Sequence, residues 1–298
     1  MKRVRFRRCV ETRHRQIAQR RVIKNRGNWM RIQIAALSAI SFLLLLCPLS
    51  GQWVHYPTAD VPRTPDGKPD LTAATPRTAD GKPDLSGLWI VPTSREPNPN
   101  FPGCAAVGDE FINIATHLKG GLPYQPWAAE LVKTRRSEQR VNDPMSRCVP
   151  IGPIRLHTWN GPRKLVQSHG LLIIMNELDT SFRQIFTDGR PLPVDPNPSW
   201  NGYSSGKWDG DTLVVRSNGF RDGIWVDAAG NPMTDAAQIT ERFHRINFGN
   251  LEIEITVDDP KAYTKPWTVK IAQVIDLDAD LLDFVCNDNE KDISHLSK

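Results

Sequence analysis

The sequence predicts a mostly β protein: an antiparallel up-and-down, lipocalin-like barrel with a Pro-rich N-terminal arm and one short helix. Three observations carry this expectation. From Lys164 onward apolar and polar residues alternate, the period of a half-buried strand. Short glycine turns, among them His169-Gly170, Asp188-Gly189 and Asp209-Gly210, separate the alternating runs, as hairpins require. No helical pattern of useful length interrupts the series, which excludes a parallel α/β sheet.

Residues 1–51 read as a targeting leader. They hold 12 of the 38 Lys and Arg residues and one of the 33 acids, so the remainder carries 26 basic against 32 acidic residues. The net charge of +5 therefore misdescribes the mature protein. A basic stretch, the uncharged and mostly apolar run Ile32–Cys47, and small residues at Ser50 and Gly51 match a secretory signal peptide. Met30 followed by Arg31 resembles an ordinary signal start, with residues 1–29 an upstream mis-start. The rival readings are a membrane anchor, although the run is short for a span of roughly 20 residues, and a lipoprotein at Cys47, although Leu46 is bulky for that signal. The expected location is periplasmic or secreted. The basic run lies in the discarded segment, so it predicts no nucleic-acid partner, and no membrane span is expected after cleavage.

Export permits disulfides. Cys104, Cys148 and Cys286 survive cleavage, so one bridge and one free thiol are expected. Cys148–Cys286 would staple the ends of the folded body together; Cys104–Cys148 is the competitor. No Cys-x-x-Cys or His-x-x-x-His spacing points to zinc or a redox pair, and no cofactor is expected.

Residues 52–85 form the Pro-rich arm and 86–298 the single barrel-like domain. The arm contains a duplication, Pro62-Arg-Thr-Pro-Asp-Gly-Lys-Pro-Asp-Leu-Thr72 against Pro76-Arg-Thr-Ala-Asp-Gly-Lys-Pro-Asp-Leu-Ser86. Its Asp-Gly and Lys-Pro steps suggest an extended, semi-rigid segment. A first strand follows at Leu85–Ile90. A helix is expected within 123–140, with Pro126 in its first turn. Strands are then expected at Lys164–Ser168, Leu171–Glu177, Phe182–Thr187, Tyr203–Trp208, Asp211–Ser217, Gln238–Ile246, Leu251–Asp258, Thr268–Ile275 and Leu281–Asn287. Asp276-Leu-Asp-Ala-Asp280 alternates like a calcium loop but lacks its glycine and closing glutamate, so it reads as a solvated turn, and no metal site is expected.

The hairpin at Phe248-Gly249 allows a register argument. With Ile246 opposite Leu251, Arg242 faces Ile255 and His244 faces Ile253 on one face, while Arg245 meets Glu252 and Phe243 meets Glu254 on the other. The second face reads as solvated, which turns Arg242 and His244 into polar handles in an apolar interior. An inward Arg needs a carboxylate or an anionic or hydroxylated ligand, and Glu177 is a candidate partner. The competing readings put Arg242 and His244 at a rim or in a structural ion pair, or shift the register so that Glu241 and Phe243 face inward. Trp200 and Trp208 flank a Pro/Asn/Gly loop and could roof a cavity. The candidate ligand site is therefore Arg242, Glu177, Arg183, Trp200, Tyr203, Trp208 and His244, with Glu177, Asp188 and His244 as candidate acid–base groups. No Gly-x-Ser-x-Gly, P-loop or dinucleotide fingerprint is present.

Several blocks carry a resemblance: Pro76-Arg-Thr-Ala-Asp-Gly-Lys-Pro-Asp-Leu-Ser-Gly-Leu-Trp89, Leu122-Pro-Tyr-Gln-Pro-Trp-Ala-Ala129, Asp143-Pro-Met-Ser-Arg-Cys148, Gln184-Ile-Phe-Thr-Asp-Gly-Arg190, Trp208-Asp-Gly-Asp-Thr-Leu-Val-Val215, Thr240-Glu-Arg-Phe243 and Asp258-Asp-Pro-Lys-Ala-Tyr-Thr-Lys-Pro-Trp267. Together they resemble a family of secreted, β-rich proteins of unassigned function from soil bacteria. The resemblance covers nearly all of 76–290 and implies export and a single β-domain, with no activity to carry over. Relatives have histidines where this chain reads Tyr203, Asn231 and Met233, a departure that weakens a metal role. Three functions compete: a secreted barrel binding a small, partly apolar ligand (aromatic, lipid-like or glycoside); a hydrolase, lyase or isomerase on the same barrel; and an envelope module tethered to a partner by its arm.

Overall fold

In the computed structural model, β1 (Gly87–Ile90) pairs with both β2 (Arg163–Ser168) and β11 (Trp267–Ile275), and this closes a nine-stranded barrel. Residues 57–92, 111, 113–116, 118–159 and 161–286 are described. The leader and Cys104 lie outside them. All of them belong to one compact unit spanning 54–298.

The remaining strands are β3 (Leu171–Asn176), β4 (Phe182–Phe186), β5 (Tyr203–Asp209), β6 (Thr212–Asn218), the short β7 (Ile224–Trp225) and β8 (Pro232–Met233), β9 (Gln238–Asn247) and β10 (Asn250–Asp258). The order around the barrel is β1-β11-β10-β9-β6-β5-β4-β3-β2, with β7 and β8 a separate two-stranded sheet. The expected meander holds with one exception: β4 and β5 pair in parallel, Ile185 beside Ser204. Parallel neighbours need a crossover, and residues 187–202 supply it by returning the chain to the far end of the barrel. The end carrying the β2–β3 and β5–β6 turns and the close of β4 is termed the mouth below.

Inward positions are occupied by Leu165, Leu172, Ile174, Ile185, Leu213, Val215, Phe243, Ile253, Ile255 and Ile271, all buried. The sequence-predicted helix is α1 (Pro126–Ser137). A second, α2 (Pro153–Thr158), was not anticipated, and all six of its residues are buried. It is too short for a helical period to register, and it carries Arg155 and His157 into the interior. The expected strand at 281–287 is absent over 281–286. That stretch is instead tied down by the Leu282 N–H donating to Glu177 (3.0 Å) and by the Cys148–Cys286 disulfide. The bridge spans 138 residues and staples the body's two ends as the cysteine spacing suggests. Asp276–Asp280 is an irregular segment, with Asp280 paired to Lys164 at 2.8 Å.

The arm is not extended over residues 57–85. Each copy of the duplication closes into a loop through the same bonds: Thr64 N–H to Lys68 O and Asp70 N–H to Pro62 O in the first, Thr78 N–H to Lys82 O and Asp84 N–H to Pro76 O in the second. Gly67 and Gly81 turn each loop at φ +82° and +78°, a conformation that favours glycine. The second copy is seated on the barrel: Arg77 makes a two-bonded pair with Asp211 (3.0 and 2.6 Å), and Leu85 is fully buried.

The β9–β10 register corrects the sequence reading. Asn247 pairs with Asn250 and Arg245 with Leu251, so Ile246 is the extra residue of a bulge. One inserted residue exchanges the two faces of every position beyond it. Ile239, Glu241, Phe243 and Arg245 therefore face inward and are buried, while Arg242 and His244 face outward.

Candidate functional site

Three polar constellations follow from this topology, one inside the barrel, one near the β7–β8 sheet and one at the mouth. Inside, β4 supplies Arg183, β9 Glu241, β5 Ser204, β6 Ser217, β2 Arg163, β11 Gln273 and α2 His157, all buried. Arg183 Nη1 donates to Glu241 Oε1 (2.9 Å) and Nη2 to Oε2. Arg183 also donates to Ser204 Oγ (3.0 Å) and Ser217 Oγ (2.8 Å). His157 Nε2 meets Glu241 Oε1 at 2.7 Å, and Arg163 Nη1 meets His157 Nδ1 at 2.7 Å. Arg163 can only donate, so Nδ1 is the acceptor and the imidazole is the neutral Nε2–H tautomer.

The electrostatics agree with that assignment. Burial pushes the His157 pKa down to about 4, outweighing the pull of Glu241. Burial alone would raise the Glu241 carboxyl; the Arg183 charge and the bonds from Arg183 and His157 hold it well below the usual carboxylate range. The cluster thus combines an ionised Glu241, a neutral His157 and two guanidinium groups. Apart from Arg163 Nε and Gln273 Oε1, its side-chain polar atoms have partners. It is a cross-brace of the interior, with no group presented to a solvent-borne substrate. Arg245 is a further inward cation. It bonds the carbonyls of Asp84 (2.5 Å), Ser86 (3.2 Å) and Phe248 and lies 4.9 Å from the Trp89 ring centre, which ties the arm to the barrel.

The second polar constellation lies near the β7–β8 sheet. Asp227 accepts from the backbone of Ile114 (2.8 Å), Ala229 (3.0 Å) and Asn231 (3.3 Å), and from the Asn231 side chain (2.5 Å). Burial nevertheless pushes it up to about 6. Asn231 in turn accepts from the Tyr124 hydroxyl at 2.5 Å. Among the described residues no group of three or more His, Cys, Asp or Glu side chains is placed to hold a metal.

The mouth carries a cavity of about 530 Å³ with both polar and apolar walls. Its floor is made by the core residues Leu172 and Leu213, and Trp208 forms one side. Polar groups come from three segments: Thr78 and Asp80 of the second arm copy, Gln167, Ser168 and His169 at the β2–β3 turn, and Asp188 after β4. Gln167 fixes the arm wall, accepting from Leu85 N–H (2.9 Å) and donating to Pro83 O (3.1 Å). Gly170 packs where an added Cβ would lie 3.2 Å from Asp188 Cβ, so the turn sits against the end of β4. Asp188 is held below the usual range by its hydrogen bonds from Arg190 (2.6–3.0 Å). Asp80 is held low by the Thr78 hydroxyl, with His169 close enough to contribute. Both carboxylates therefore stay ionised at neutral pH and can accept hydrogen bonds from a ligand.

The sequence-predicted site residues are scattered. Trp208 and Asp188 meet at the mouth pocket. Arg183 lies in the interior brace. Arg242, expected inside, is on the outer wall and pairs with Asp209 at 3.2 Å. His244, also expected inside, faces outward beside Asp211. Glu177, Trp200 and Tyr203 lie at the end opposite the mouth; Glu177 accepts from Leu282 N–H and is no partner of Arg242. Trp200 packs on the core with Arg221 5.5 Å from its ring centre, and Tyr203 is exposed. His157, Arg163 and Gln273 were missed: a buried polar residue leaves no mark on a period-two pattern. Asp80 and His169 were missed because turn residues are normally just solvated. The one available signal was the duplication, whose second copy forms a wall of the pocket. No family model, curated protein or solved structure matches the chain.

Proposed function

We propose that this protein binds a small, neutral, hydroxylated ligand with an apolar face, of the aryl glycoside kind, at the mouth of its barrel. The observation that carries this reading is the composition of the mouth pocket. Core leucines and the Trp208 ring offer an apolar surface, and ionised Asp80 and Asp188 lie within the same walls. Flat apolar surface with a few fixed acceptors is what a ring bearing hydroxyl groups requires. The two ionised carboxylates are hydrogen-bond acceptors for the hydroxyl groups of such a ligand. The Cys148–Cys286 bridge supports export to an oxidising compartment.

Thermal denaturation of the purified protein with phenyl β-glucoside, and with the sugar and phenol separately, tests the proposal. A ligand at 100 times its Kd adds about 2.7 kcal/mol of stability. The intact glycoside is expected to raise Tm in the wild type and not in Trp208→Ala. An equal rise in both proteins, or none across a panel of neutral aryl glycosides, would reject the assignment.

A further inference from the structure

We infer a second binding site on the outer wall of the barrel, built for a small organic anion with a flat apolar body. It does not depend on the mouth pocket being occupied. The crossover after β4 arches over the outer faces of β5 and β6 and is pinned at two points: Ser205 Oγ donates to Arg190 O (2.5 Å), and Asn218 Nδ2 donates to Pro193 O (2.8 Å). Between the pins, Pro191 and Leu192 face Val214 across a cleft of about 580 Å³.

Lys207 and Arg216 line this cleft. Ser205 pairs with Arg216 and Lys207 with Val214, so Lys207 and Arg216 stand on the same outward face as diagonal neighbours, their Cα atoms roughly 7–8 Å apart. Neither has an acidic partner among the described residues. The one carboxylate in the cleft, Asp209, is already paired with Arg242 at 3.2 Å. Two uncompensated cations beside an apolar roof and floor match an aryl carboxylate or sulfonate: the guanidinium takes two anionic oxygens in its fork and the ammonium adds a point charge, while the ring lies against Leu192 and Val214.

The test uses 2-naphthoate and its neutral isostere 2-naphthamide, titrated by calorimetry at low and at 0.5 M salt. Naphthoate is expected to bind at least tenfold more tightly than the amide at low salt and to lose that advantage at high salt. In a Lys207→Gln, Arg216→Gln double variant with unchanged Tm, naphthoate affinity should fall at least tenfold, and in Asp80→Ala it should not. Equal binding of acid and amide, or full naphthoate affinity in the double variant, overturns the inference. Both groups are exposed; should the double variant melt early, the acid–amide comparison on the wild type decides alone. Loss of glycoside binding at the mouth leaves these expectations intact.

Discussion

Arg183 and Glu241 form a two-bonded ion pair in the interior of the barrel, joining β4 to β9 from opposite sides of the β5–β6 hairpin. The pair is almost wholly removed from solvent, so its hydrogen bonds, and those of Ser204, Ser217 and His157 around it, must offset the desolvation of two charges. Glu241→Gln removes the single carboxylate of the cluster and leaves the Arg183 and Arg163 charges buried together. Chemical denaturation should show a loss of about 3–5 kcal/mol. Replacing both partners, Arg183→Met with Glu241→Leu, should cost less than the sum of the single changes, because the two are coupled. Strict additivity would mean that the pair is not formed.

The bulge at Ile246 makes neighbouring positions on β9 behave oppositely. Arg242 is exposed and its pair with Asp209 is a surface pair, so Arg242→Met should change stability by less than about 1 kcal/mol. Phe243→Ala, one residue along and fully buried, should cost about 3–5 kcal/mol. Urea melts of the two variants check the register, and a larger cost at Arg242 than at Phe243 would contradict it.

Two buried groups impose opposite pH dependences on stability. His157 titrates near 4 in the folded protein against about 6.5 unfolded, so its contribution is complete above pH 6.5 and is lost as pH falls toward 4. Asp227 titrates near 6 when folded against about 3.9 unfolded, so its contribution is present at low pH and is lost as pH rises through 6. Each shift corresponds to about 3 kcal/mol, and over pH 4.5–6.5 the two largely cancel. Asp227→Asn removes one side of the balance. Its stability should rise with pH across that window more steeply than the wild type's, measured by urea denaturation at both ends. A slope no steeper than the wild type's would show that burial does not raise the Asp227 pKa in the folded protein.

Cys148 and Cys286 close a loop of more than a hundred residues, and a constraint of that length stabilises by roughly 4–5 kcal/mol in the chain-entropy model. The Cys148→Ala, Cys286→Ala double variant should lose about 2–5 kcal/mol and respond to reducing agent no further. A wild-type Tm unaffected by reductant would count against the bridge as a stabilising element.

The strands and their turns were legible because each strand has one face buried, and alternation of apolar and polar residues reports that directly. What failed was the phase of one strand. Ile246 reads as an ordinary apolar partner for Leu251, and nothing in the pattern marks it as the inserted residue of a bulge. That single displacement moved Arg242 and His244 from the inside to the outside and hid Glu241. Arg183 was picked out by residue type, but its partners come from α2, β2 and β9, far apart in sequence. The sequence singles out Trp208 beside the Pro/Asn/Gly loop and Asp188 as an acid–base candidate; the two come together because each leads from a strand into a Gly turn, and the topology brings those turns to one end of the barrel. Asp80 joins them only because the second arm copy is seated there by Arg77 and Asp211.

The most direct test of ligand binding at the barrel mouth is a set of amide chemical-shift changes on titration with phenyl β-glucoside. Saturable changes are expected at Ser168, His169, Asp188 and Leu213, with little change at Glu177 or Tyr203 at the opposite end. Changes centred on that opposite end, or none at saturating glycoside, would contradict it.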